Sequence, residues 1–65
     1  MITSNVKRLM EEKGITIRKM VELTGLADVT ILRSRREAIV QCRLSTLETI
    51  ALCLKCKVKD LFEED

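Results

Sequence analysis

The sequence predicts an all-α domain of five short helices. Three observations carry this. The chain has no Pro and only two Gly, so little interrupts helical structure. Its Leu, Ile, Val and Met residues recur at the i, i+3, i+4, i+7 spacing of amphipathic helices. Start and stop signals, chiefly Thr16, Gly14, Gly25 and Ser45–Glu48, divide it into segments of helical length.

The first helix is expected from about Ser4 to Lys13, with Val6, Leu9 and Met10 on one stripe, Lys13 as its polar end and Gly14 as a left-handed C-terminal cap. The second is expected from Ile17 to Leu23, capped by Thr16, with Met20, Val21 and Leu23 as its apolar face. Thr24-Gly25 ends it, and Leu26 plugs the turn that follows. The third is expected from Asp28 to Arg36, with Ile31 inward and Asp28, Val29, Leu32, Arg33 and Arg36 on the other face. Its β-branched start and Arg-rich end give weak propensity, so packing must hold it. Glu37 to Arg43 reads as a loop with Ile39 and Val40 tucked onto the core. The fourth helix is expected from Thr46 to Leu54, opened by the capping box Ser45-Thr46-Leu47-Glu48 and buried along Leu47, Ile50, Ala51 and Leu54. The fifth is expected from Val58 to Glu63, anchored by Leu61 and Phe62.

With no repeat or linker, the 65 residues read as one domain, 1–65. Phe62 is the only aromatic residue, so the core is aliphatic. A chain this small buries only about 60% of its unfolded surface, and dimerisation is a common remedy. No apolar run reaches the length of a membrane span, and no basic segment leads into an apolar stretch, so no signal peptide is expected. An odd count of three Cys fits a reducing cytoplasm better than a disulfide scaffold. Net charge is only +2, but Arg33, Arg35, Arg36 and Arg43 crowd the centre, while Asp60, Glu63, Glu64 and Asp65 close the chain. That asymmetry gives either one face for a polyanion or an ordinary solvated surface.

Two short helices joined by Thr24-Gly25-Leu26 have the pattern of a helix-turn-helix. Gly25 allows the steep crossing, Leu26 fills the wedge, Ile31 holds the second helix to its scaffold, and polar side chains are left facing outward. At this point the chain resembles the phage-repressor and Cro-like helix-turn-helix proteins, the XRE group. The likeness is carried by Val6 through Thr16, Met20-Val21-Glu22-Leu23-Thr24-Gly25-Leu26, Thr30-Ile31, Leu44 through Ala51, and Lys55 through Glu63. The Cys-x-x-x-Asp-Leu-Phe ending is similar to a short branch little larger than the DNA module itself. The resemblance implies a five-helix, lambda-repressor-like domain whose third helix enters the major groove of double-stranded DNA. Its base-reading positions fall on Ala27, Asp28, Val29, Thr30, Leu32 and Arg33, and its backbone-gripping positions around Thr16 to Arg18 and toward Arg43. The chain departs from that pattern at Ile17, where many relatives have Gln, and at Ala27, where many have Ser. It departs again at Met10 and Arg35, where a common Arg–Glu pair linking the first and third helices is lost, and at Ser34, where an apolar residue is usual.

Arg33 is the leading base reader, since a guanidinium bridges O6 and N7 of guanine; a phosphate contact or plain solvation is the alternative. Asp28 either accepts from a cytosine amine or caps the third helix. Val29 either meets a thymine methyl or packs, and Thr30 either bonds a phosphate or caps. Arg18, Lys19, Arg35, Arg36 and Arg43, with Thr16, form the candidate phosphate clamp, which gives register without sequence information. Leu52, off the fourth helix's stripe, joins Val58 and Phe62 as a candidate homodimer surface; a two-fold dimer sets its two third helices about 34 Å apart.

Cys53-Leu54-Lys55-Cys56 matches Cys-x-x-Cys, but with three Cys and no His zinc lacks four ligands, and packing is the plain reading. No metal, cofactor or small-molecule ligand is expected. An enzyme is the least expected class, for want of His, a phosphate loop or paired carboxylates in a cleft. The expected function is a sequence-specific DNA-binding transcriptional regulator acting as a repressor. Its rival is a protein-interaction module on the same scaffold, kept alive by Ile17, Ala27, Leu32 and Ser34.

Overall fold

The computed structural model describes residues 1–65. In chain order it has strand β1 (Ile2–Ser4), helices α1 (Val6–Glu12), α2 (Ile17–Thr24) and α3 (Asp28–Ser34), the 3-10 helix η1 (Glu37–Gln41), helix α4 (Leu44–Cys53), the 3-10 helix η2 (Val58–Leu61) and strand β2 (Phe62–Glu64). There are thus four α-helices rather than five, and the fold is not all-α. The two strands pair antiparallel, with Ile2 opposite Glu64, Thr3 opposite Glu63 and Ser4 opposite Phe62. Segments of three residues cannot complete a helical turn's hydrogen bonds, but they satisfy each other's backbone when extended side by side.

The same pairing corrects the outer element bounds. Ser4 belongs to β1, so α1 starts at Val6, and its Oγ accepts from the Val6 N–H at 3.2 Å. The expected fifth helix shrinks to η2, because Phe62 and Glu63 are drawn into β2. α3 stops at Ser34, leaving Arg35 and Arg36 in the turn after it. The expected loop holds η1, whose Ile39 is buried while Val40 is 62% exposed; in this tight helix only one of the two adjacent side chains can face inward. α4 begins at Leu44, two residues before its expected start, with Arg43 at the cap position and no side-chain cap. The capping box is therefore unused: the chain leaves η1 extended through Cys42 and Arg43 and winds into helix at once.

α2 and α3 behave as their turn chemistry demands. The Thr16 hydroxyl accepts from the Lys19 N–H at 3.1 Å, filling one of the orphan donors of α2. Gly25 caps its other end at φ 74°, a left-handed conformation in which its N–H reaches the Val21 carbonyl. The Thr24 hydroxyl donates to the Met20 carbonyl at 2.6 Å and accepts from the Leu26 N–H at 3.1 Å, which fixes the step into α3.

Ten apolar residues form one buried cluster: Val6, Met10, Met20, Ile31, Ile39, Leu47, Ile50, Ala51, Leu54 and Leu61. Every element from α1 to η2 contributes at least one. Leu23, expected on the buried face of α2, is instead 56% exposed. Ser34, wholly buried, donates its hydroxyl to the Ile31 carbonyl at 2.6 Å. Its own carbonyl accepts from the Ser4 hydroxyl, which ties β1 to the end of α3. No helix is long and apolar enough to cross a membrane.

Candidate nucleic-acid interface

α3 is held by two buried side chains, Ile31 and Ser34, three residues apart on one face. Helical geometry turns Asp28, Val29, Leu32 and Arg33 the other way. All four are exposed, as is Ala27, which occupies the cap position; Thr30 is half-buried between the two faces. Asp28 does not cap from the expected position. It is the first helical residue, and its carboxylate accepts from the adjacent Val29 N–H at 2.8 Å. A negative charge there suits the positive end of the helix. Val29 and Leu32 are 59% and 40% exposed, so packing within the chain does not account for them.

Several cationic side chains lie on this helix or next to it, and others lie elsewhere on the surface. Arg18 lines a hollow with Ile17, Val21 and Asp28, where the starts of α2 and α3 meet. Arg35, half-buried, lines another with Gly14, Ile15, Thr16 and Ile17. Met10 borders that same hollow, so in place of an Arg–Glu pair there is a buried methionine beside an arginine with no ion pair. Arg36 shares with Arg35 a polar groove closed by Thr3, Ser4 and Glu37. Arg33 lies close enough to Cys42 for its charge to act on the thiol. The Cys42 pKa is raised by burial and pulled back by that guanidinium. Arg43 is exposed at the start of α4, where the first backbone N–H groups lack a side-chain cap.

The chain has only two ion pairs, Arg8–Glu12 at 3.2 Å and Lys19–Glu22 at 3.7 Å. Arg18, Arg33, Arg35, Arg36 and Arg43 are in neither, so none of them lies within ion-pair distance of a carboxylate. Lys19, placed with them by sequence, shares its charge with Glu22, although both side chains are more than half exposed.

Of the expected dimer residues, Leu52 and Phe62 line different hollows. Leu52, 80% exposed, lines a hollow with Leu23, Thr49, Cys53 and Lys55. Phe62 lines a different one with Ile2, Ile39, Val40, Cys42, Leu44 and Leu47. Val58 is half-buried and packs against the core. Cys53 rests its sulfur 3.4 Å from Met20 Sδ, as a packing residue does.

Sequence reasoning missed the exposure of Leu44, 70%, and the placement of Arg43 at a helix start. Both follow from where α4 begins, and the capping box pointed elsewhere. No curated protein matches the chain. The family model described as the Cro/C1-type HTH DNA-binding domain matches residues 5–64.

Proposed function

The chain belongs to the Cro/C1-type helix-turn-helix family of DNA-binding domains, and from that membership we propose that it is a repressor reading operator DNA as a homodimer. In this reading α3 enters the major groove of an inverted repeat. Arg33 reads guanine, Asp28 and Thr30 meet base edges or the adjacent backbone, and Val29 and Leu32 lie against thymine methyls. Thr16, Arg18, Lys19, Arg35, Arg36 and Arg43 grip phosphates on either side, setting register without reading sequence. The observation that carries the proposal is the outward face of α3, four exposed side chains including Arg33, set among arginines that make no ion pair.

The exposed apolar pair on α3, Val29 and Leu32, favours one rival: a module that binds and blocks another protein through the same helix. One experiment separates the two. The protein is incubated with a random duplex library, the bound fraction is selected over several rounds, and the survivors are sequenced. Enrichment of an inverted repeat with half-sites about 10 bp apart supports the operator reading. No enriched motif, with residual binding removed by moderate salt, leaves only nonspecific phosphate contact and favours the rival.

A further inference from the structure

We propose that the outer edge of β2 receives, as a third strand, an extended basic segment of another protein. The register pairs Ile2 with Glu64, Thr3 with Glu63 and Ser4 with Phe62. Just beyond it on either side, the Asp65 N–H donates to the Met1 carbonyl at 2.9 Å and the Asn5 N–H to the Leu61 carbonyl at 2.8 Å. Along an antiparallel ladder, hydrogen-bonded pairs alternate with non-bonded ones. Thr3 and Glu63 therefore turn their backbone groups toward each other, while Phe62 and Glu64 turn theirs away from β1. Neither Phe62 nor Glu64 takes part in a backbone bond of a turn, loop or cap. β1 is flanked by η1, whereas β2 packs on β1 and on η2, from which it continues. The outward N–H and C=O groups of Phe62 and Glu64 thus form a short template for another strand.

Charge complementarity names the occupant. Glu63 and Glu64 are both exposed, and neither is in an ion pair. Successive side chains of a strand point to opposite faces. Glu63 therefore shares the face of Thr3, and Glu64 that of Ile2 and Phe62, so the edge is acidic on both sides of the sheet. A second copy of β2 laid antiparallel along it sets carboxylates opposite carboxylates, which destabilises the pairing. Nucleic acid is repelled for the same reason. A strand with an apolar residue opposite Phe62 and a Lys or Arg opposite each glutamate meets all three positions favourably. The occupant is accordingly a segment with two adjacent basic residues next to an apolar one. Backbone bonds hold it, and the glutamates select it. This edge and its charges do not depend on the operator reading.

The test is amide hydrogen exchange, followed by NMR, on the full chain without DNA. The probe is the end-capped peptide Thr-Val-Lys-Lys-Val-Thr, whose symmetric pattern suits pairing in either direction. With the edge saturated, the Phe62 and Glu64 amides are expected to exchange at least tenfold more slowly. The counterpart Thr-Val-Glu-Glu-Val-Thr should not bind. The double variant Glu63→Lys, Glu64→Lys alters exposed side chains only, so its helix signal in circular dichroism should be retained and its preference between the two peptides reversed. Absence of saturable binding would leave the glutamates as a guard that keeps the edge unpaired, and would overturn the proposal. Shift changes without protection of the two amides would also overturn it, as ion pairing without a strand. Protection that rises with protein concentration in the absence of peptide would overturn it in favour of a second copy. With no DNA present, none of these outcomes bears on the operator reading.

Discussion

Lys55 occupies in α4 the backbone position that Gly14 occupies in α1. Both are left-handed, φ 56° and 66°. Each is followed by a residue whose N–H closes the same loop on its helix, Cys56 to the Ala51 carbonyl at 3.0 Å and Ile15 to the Met10 carbonyl at 2.9 Å. Both helices therefore end in the same Schellman geometry, one with the residue that adopts it freely and one with a residue that does not.

Lys55→Gly is expected to stabilise the protein by about 0.5 kcal/mol, the relief of left-handed strain less the extra freedom of Gly in the unfolded chain. Gly14→Ala is expected to cost about 1 kcal/mol. A Cβ at Gly14 would meet nothing within 4 Å, so the cost is one of backbone conformation alone. Urea titrations of the two variants check the opposite signs.

Ser4→Ala should destabilise the protein by about 1–2 kcal/mol. One hydroxyl donates to the Ser34 carbonyl and accepts from the Val6 N–H, so its loss unties β1 from α3 and leaves the first turn of α1 with an unfilled donor. Thermal unfolding reads this as a fall of roughly 4–8 °C per kcal/mol.

The arginines around α3 should divide into two classes. Arg33→Ala is expected to relax preference at one base pair of the selected site, costing about 1–3 kcal/mol there. Arg18→Ala and Arg35→Ala are expected to weaken binding to all duplexes alike and to lower the slope of log K against log salt by about one each. Salt titrations on the selected site and on a scrambled duplex distinguish the two.

Alkaline pH should unfold the protein in part through its thiols. Cys42 and Cys56 are both held above the ordinary value of 9.0, chiefly by burial, with the Asp60 charge adding to the shift at Cys56. Arg33 opposes the shift at Cys42 and Lys13 at Cys56. The folded state thus favours the neutral thiol. That contribution is fully present below 9.0 and is lost as pH rises from there through the raised folded values. Replacing both residues with Ala should flatten the fall of the urea midpoint above 9.0; an unchanged fall would place its origin in other groups.

Much of this was legible in the sequence because it depends on local pattern. The stripe Leu47, Ile50, Ala51 and Leu54 is buried as its spacing requires. Thr16 and Gly25 cap α2 as their chemistry requires, and Ile31 turns inward from α3 while Arg33 turns out. What was not legible depends on partners distant in sequence. Nothing in Ile2-Thr3-Ser4 alone foretells a strand, since its partner lies some sixty residues on at Phe62–Glu64. The capping box at Ser45 is sound local chemistry, yet the exit of η1 decides where α4 starts. Leu52 was rightly placed off the stripe, but only the three-dimensional arrangement shows that it and Phe62 line separate hollows.

The pairing of β1 with β2 closes a loop of almost the entire chain. The entropy of such a closure is large, and few backbone bonds offset it. The remaining packing, helix against neighbouring helix, is between segments much closer in sequence and should assemble sooner. The sheet is then the last piece to form and the first to open, and its amides should exchange with solvent while α2 and α4 remain protected. Because Ile2 and Phe62 also wall the apolar hollow bordered by Val40 and Leu44, each opening of the chain ends would briefly unmake that surface.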